Sequence, residues 1–270
     1  HAAWAFSGLY FAARRLGLQR AYAFIAAAPF ATSPFFIEFA QNLSFASTAA
    51  WAGWVLWAAE GLRARPSFRR TGALAFFLGG AFHAGSPEMW LWEAMLVGQV
   101  LLPTRRARAW GVAALAWGGL LGAVVALPTF ELSRTWTQPG EAASGALEWS
   151  VSLAQLLSIF VPDGDLPRTA SWWGGADQRF LFTLFTGALG FLLAVVGVRV
   201  RRARPLVVLA VVLVVLSLGR HFVVSEWVLS LPPFKLFRYP AKYLVGGLFG
   251  LSVLAGFGAR RLVALAREGR

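Results

Sequence analysis

Apolar residues run along this chain in stretches longer and more continuous than one face of a soluble helix requires, near residues 1–12, 21–36, 43–61, 70–85, 87–103, 109–128, 179–198, 205–219 and 241–259. Short joints rich in arginine, glycine or proline separate them. The pattern predicts an all-α fold, a polytopic transmembrane helical bundle of about nine membrane segments, with residues 1–270 forming a single transmembrane domain. Several stretches fall short of the roughly 20 residues that a perpendicular helix needs. Those around Pro29–Pro34 and Ser86–Pro87 are therefore expected to be broken or partly re-entrant, with their backbone packed in protein or lining a wet cavity.

Composition supports the membrane class: 58% of the residues are hydrophobic and 14% charged, too little polar surface to clothe a soluble globule of 270 residues. The formal charge of +13 raises the question of nucleic acid. The arginines, however, cluster between apolar stretches and do not interleave with aromatics along one polar face, which argues for anchored loops and no nucleic-acid partner. The absence of cysteine excludes disulfides and thiolate metal sites. His1, His83 and His221 are too scattered to form a local metal motif, so no cofactor is predicted and a need for a divalent metal stays open.

Charge also assigns sides. If the segments alternate direction, Arg14, Arg15 and Arg20; Arg63 to Arg70; Arg105, Arg106 and Arg108; Arg199 to Arg204; and Arg260 to Arg270 all fall on one side, where Glu60 and Glu268 are the acidic company. That side is the cytoplasmic one, and it holds the C-terminus. The other side carries one long connection, about 128–178, and a shorter one, about 219–240. Within the long connection, Leu147, Val151, Ala154 and Leu157 recur at helical spacing over Ala146–Phe160, as an interfacial helix would, and Trp172 and Trp173 suit the headgroup belt.

Four groups of residues are candidates for chemistry. Asp163 and Asp165 lie in a Pro-Asp-Gly-Asp string that reads as ordinary turn chemistry, or as two carboxylates able to share a cation or a proton. Ser86, Pro87 and Glu88 read as the N-cap, first residue and acidic first turn of a helix. The alternative there has His83 and Glu88 lining a polar cavity, with Glu93 deeper in the same helix, where an ionisable group faces the protein interior or water. Glu38 and Asn42, with Gln41, either cap helices or recognise sugar hydroxyls. Finally, Lys235, Arg238 and Lys242 surround Tyr239-Pro240 on the side where positive charge is unusual. If Pro240 opens the last helix, Lys242 lies in its first turn, where a cation is disfavoured unless an anion joins it. Lys242 is thereby either a phosphate ligand or a headgroup anchor.

Several strings taken in order resemble bacterial YfhO-type membrane proteins, a branch of the GT-C glycosyltransferase superfamily. They are Ala12-Ala-Arg-Arg-Leu-Gly-Leu18, the run Phe35 to Glu60 through Asn42 and Trp51 to Trp57, Gly85-Ser-Pro-Glu88, Trp173-Gly-Gly, and Pro233-Phe-Lys-Leu-Phe-Arg-Tyr-Pro-Ala-Lys242 before a glycine-rich helix. The resemblance covers nearly the whole chain. It implies a GT-C-like helical fold in the bacterial inner membrane that transfers a sugar from a polyprenyl-phosphate donor to an envelope acceptor at the outer face. It places the donor phosphate at Arg238 and Lys242, with Lys235 and Tyr239 beside them. The superfamily's general base, an acid in the first outer loop, would precede His1, and neither Asp163 nor Glu88 is promoted in its place. Two other classes stay open: a transporter or lipid flippase built around Glu93 and the broken helices, and a non-catalytic membrane scaffold.

Overall fold

A computed structural model describes residues 1–38, 43–135, 147, 149–156, 187–231, 234 and 239–269. Among these the regular structure is entirely helical: α1 (Ala2–Arg15), α2 (Arg20–Ala31), α3 (Pro34–Glu38), α4 (Leu43–Ala49), α5 (Ala52–Ala64), α6 (Phe68–His83), α7 (Pro87–Leu101), α8 (Arg105–Thr135), α9 (Leu153–Leu156), α10 (Ala188–Gly197), α11 (Arg204–Ser217), α12 (Val223–Leu229) and α13 (Ala241–Glu268). Two have the length and hydropathy to cross a membrane, α8 over Arg105–Pro128 and α13.

The helices begin and end largely where local chemistry requires. Ser86 caps α7 in extended conformation, Pro87 follows as its first residue, and Glu88 occupies the positive first turn. The predicted break in the second apolar stretch is present: α2 contains Pro29 and stops at Ala31, and Thr32 and Ser33 turn the chain into α3 at Pro34. Two boundaries differ from the sequence expectation. The stretch 43–61 is two helices, because Ala50 and Trp51 form a turn that sets the Trp51 ring against Gly80 of α6 and 5.3 Å from the Trp4 ring. The long connection does not start at Pro128, since α8 carries that proline inside it and continues to Thr135; a proline removes one backbone hydrogen bond, and the helix survives the loss.

The core is organised around α13, which is buried on nearly every side from Ala241 to Ala259. Its glycines make this possible. Side chains at Gly246, Gly250 and Gly256 would collide with Trp92 and Leu213, with Ala210, and with the backbone of Tyr22, so α7, α11 and α2 approach at a distance that only small residues permit. At Gly258 and Gly197 the backbones of α13 and α10 meet directly. α1 packs between α2 and α5, and α6 lies along α8, where Gly118 and Gly122 receive Leu78 and Phe82. The opposite face of α8 is exposed and apolar, with Val112, Leu120, Val124 and Leu127 outermost.

The arginine clusters converge at one end of this bundle. Arg15 feels Arg70, Arg202 approaches Gly17, Arg260 Nη1 donates to the Gly17 carbonyl at 3.5 Å, and Arg261 Nη1 donates to the Arg199 carbonyl at 3.2 Å. A cleft of about 260 Å³ at the same end brings Arg63, Arg201 and Arg202 together with Glu60 and Gln99.

Candidate functional site

At the other end, the starts of α7 and α13 lie side by side. Ser86 Oγ accepts from the Met89 amide at 3.4 Å and donates to Glu88 Oε2 at 3.2 Å, and the Ser86 amide donates to Thr48 Oγ1 at 3.3 Å. The cap therefore does three things at once. It starts α7, fastens it to α4, and holds one oxygen of Glu88.

The second oxygen, Glu88 Oε1, accepts from Lys242 Nζ at 3.0 Å, across 154 positions of sequence. The lysine side chain is 4% exposed and the carboxylate 21%. Aromatic faces complete the enclosure: Lys242 Nζ is 4.4 Å from the Phe45 ring centroid and 4.8 Å from that of Tyr239. Lys242 follows the N-cap Pro240 by two residues. A cation here opposes the helix dipole, while Glu88 in the first turn of α7 is favoured by it. The anion that Lys242 requires is thus supplied by the chain itself, in a pair whose charges are largely withdrawn from water.

Described residues of the connections about 128–178 and 219–240 meet over this pair. The Trp149 and Tyr239 rings stack with centroids 4.2 Å apart, and the Ala241 amide donates to the Trp149 carbonyl at 3.2 Å. Ser150 Oγ accepts from the Arg220 amide at 3.0 Å, and the Val151 amide donates to the Ser217 carbonyl at 2.9 Å. Trp149 and Tyr239 both have positive φ, 55° and 69°. Left-handed backbone at a large aromatic residue is strained, by roughly 1–3 kcal/mol, and persists only where its surroundings hold it. Here the two strained residues hold each other.

Glu93 lies farther along α7, fully buried, and neither of its oxygens has a hydrogen-bond partner among the described residues. The neighbouring Trp92 Nε1 and the Tyr243 hydroxyl, in α13, are likewise buried without a partner. Trp92 packs on α13 at Gly246 and Phe249, so the seam between these two helices contains several polar atoms that no described residue satisfies.

The other sequence candidates are placed differently. His83 is exposed and its Nε2 donates to the Leu121 carbonyl at 2.8 Å, which ties α6 to α8. Glu38 ends α3. Asn42, Asp163, Asp165, Lys235 and Arg238, with most of the long connection, lie outside the described residues. Of the helix expected over Ala146–Phe160, the described residues Trp149 to Ser152 are not helical, and helix is present at Leu153–Leu156, opened by reciprocal hydrogen bonds between Ser152 and Gln155. Among the described residues no three acidic or histidine side chains gather as a metal site would require. Sequence reasoning named Lys242 and Glu88 separately and missed their pairing, along with Phe45, Thr48 and Trp149. The single hint was the first-turn lysine and its need for an anion.

Comparison with known proteins adds nothing to this geometry: no family model, curated protein or solved structure matches the chain.

Proposed function

We propose that this chain is part of a bacterial inner-membrane protein of GT-C type, with about nine membrane segments and a cytoplasmic C-terminus, that transfers a sugar from a polyprenyl-phosphate donor to an envelope acceptor at the outer face. The observation that carries the reading is a buried lysine at the head of the central helix, under the junction of two connections, at the end of the bundle opposite the arginine clusters. The membrane setting draws support from the apolar outer faces of α8, α10 and α11, where Leu120, Val124, Leu189, Leu192, Val208 and Val211 are exposed; lipid covers such surfaces at no cost. In this reading Arg238 grips the donor phosphate through paired hydrogen bonds and Lys242 contributes a point charge, with Lys235 and Tyr239 beside them. Glu88 keeps the lysine charged and in place before the phosphate arrives.

Binding of a radiolabelled polyprenyl-phosphate sugar to the full-length protein tests the reading. Loss of one charge-assisted contact, about 1.5–3 kcal/mol, lowers affinity by roughly one to two decades in Arg238→Ala and Lys242→Met. Arg199→Ala, on the arginine end, leaves it unchanged, and Arg238→Lys rescues poorly. Unaltered affinity in both Arg238→Ala and Lys242→Met removes the donor site. Orientation has its own check: with no native cysteine, Arg65→Cys and Val223→Cys are probed in intact cells with an impermeant thiol reagent, and labelling of Val223→Cys alone is expected.

One observation favours a second reading, transport of a polar or lipid substrate. Glu93 is a fully buried carboxyl without a partner among the described residues, in the interior of a helical bundle, the setting in which such groups mark a substrate or proton path. Uptake that depends on Glu93 and not on Arg238 would decide for it.

A further inference from the structure

The arginine end contains a second arrangement, unconnected with the donor site. Arg15 at the end of α1, and Arg69 and Arg70 in the first turn of α6, line a cleft of about 360 Å³ with Trp57 and Gly61 between them. Two of the three guanidinium groups are fixed in place. Arg15 Nη1 donates to the Trp57 carbonyl at 2.6 Å, and its guanidinium carbon lies 3.9 Å from the Trp57 ring centroid. Arg70 Nη1 donates to the carbonyls of Gly61 at 2.7 Å and Arg65 at 3.1 Å. These contacts use a minority of the N–H groups that each guanidinium carries. The remainder are held ready without the entropy loss that a free side chain suffers on binding.

Among the described residues no carboxylate lines the cleft. Glu60, the acid that Arg15 feels, is already gripped by Arg63 through Nε at 3.0 Å and Nη2 at 2.6 Å. The first turn of α6 contains no acidic residue, so the positive end of that helix adds to the field of Arg69 and Arg70. The cost is visible at Arg15, which lies beyond the apolar run 1–12. Burial, and next the charge of Arg70, work against its protonated form. A field of this kind, preorganised and with no carboxylate lining the cleft among the described residues, contrasts with Lys242 at the opposite end, where the chain supplies its own anion.

The geometry points to a phosphate-binding site between the ends of α1 and α5 and the start of α6, in which Arg15, Arg69 and Arg70 grasp the oxyanion against the Trp57 ring. Guanidinium forks match phosphate oxygens in pairs, and an aromatic ring beside them suits the headgroup level of a bilayer. The phosphate is that of an anionic phospholipid or a free phosphate ion. Both present the same oxygens to the arginines, and the two sources are separated by experiment.

The test uses the full-length protein in neutral detergent, with retained ligand read by native mass spectrometry. One arm adds phosphatidylglycerol, with phosphatidylcholine as reference, and the other adds inorganic phosphate against chloride at equal ionic strength. Wild type is expected to retain phosphatidylglycerol in preference to phosphatidylcholine. Arg69→Gln and Arg70→Gln should each weaken retention by roughly tenfold or more, as loss of a charge-assisted contact does, while Arg267→Gln in the last turn of α13 has no effect. Retention of inorganic phosphate with the same variant pattern identifies a site satisfied by the free ion, and its failure beside retained phosphatidylglycerol identifies a lipid site. Arg69 is exposed, so Arg69→Gln is expected to unfold at the wild-type temperature, and Arg69→Lys provides a folded variant that keeps the charge. Equal retention of phosphatidylglycerol and inorganic phosphate by wild type and both glutamine variants, or no preference over phosphatidylcholine and chloride in wild type, overturns the proposal. Neither outcome bears on sugar-donor binding, which depends on Arg238 and Lys242.

Discussion

The two ends of this bundle handle positive charge in opposite ways. At one, arginines from four separated clusters lie near each other, hydrogen-bonded mostly to backbone carbonyls, with one ion pair among the described residues, between Arg63 and Glu60. At the other, Lys242 is enclosed by Glu88, Phe45 and Tyr239. Where charge is plentiful and wet, each group matters little. Where it is enclosed, an ion pair joins the two helices that carry it. The contrast follows from dielectric: water and mobile ions weaken exposed pairs, while a withdrawn pair loses its hydration and must be matched.

The largest effect expected from this contrast is at Lys242. Lys242→Met leaves Glu88 half enclosed beside apolar groups and should destabilise the protein by about 3 kcal/mol, the lower end for a broken buried pair because Glu88 retains some solvent. Adding Glu88→Gln should return part of the loss. Reversible unfolding of both variants in detergent measures this, and a double variant no more stable than Lys242→Met would dissolve the comparison. Next comes Arg15→Ala, which removes a hydrogen bond and the cover over Trp57, for a loss of about 1.5 kcal/mol. Arg65→Ala, at an exposed position of the same cluster, should stay within about 0.5 kcal/mol. Ser86→Ala tests the cap that holds Glu88 and should cost about 1 kcal/mol, with a weaker coupling between Glu88 and Lys242 in a double-mutant cycle.

The smallest effect concerns pH. Burial, and then the charge of Arg220, hold the His221 imidazole below its ordinary value of 6.5. As pH falls through 6.5 the unfolded chain takes up this proton before the folded one does. The contribution of His221 is therefore complete above that pH, declines as pH falls, and levels off once the folded state is protonated too. Imidazole resonances followed by NMR should titrate with a midpoint below 6.5, and a midpoint above it would refute the sign.

Much of this was legible because it is local. Pro29 and Pro34 announced the break between α2 and α3, Ser86-Pro87-Glu88 announced the start of α7, and the spacing of arginine clusters between apolar stretches anticipated their convergence at one end. The turn at Ala50–Trp51 was not legible, since neither residue breaks a helix and the turn is set by packing of Trp51 on Gly80 and Trp4. Nor was Pro128, whose effect depends on what surrounds α8. The ion pair was legible in half: the first-turn position of Lys242 demanded an anion, but no local pattern tells which of the chain's acids answers a lysine 154 positions away. Such a partnership is fixed by how α7 crosses α13, and that crossing is fixed by glycines whose spacing alone does not name their neighbours.

The position of α13 at the centre has a consequence for how the protein is made. A ribosome delivers the helices in order, and α1, α2, α7, α10 and α11 all emerge before the one they surround. Until α13 arrives, Gly197, Trp92 and the backbone around Tyr22 have no occupant for the surfaces they present to it, and Glu88 has no lysine. The earlier helices must wait as a loose, unclosed set, exposed to quality-control proteases and to wrong partners, and closure comes as one late event when the glycine-lined helix packs among them.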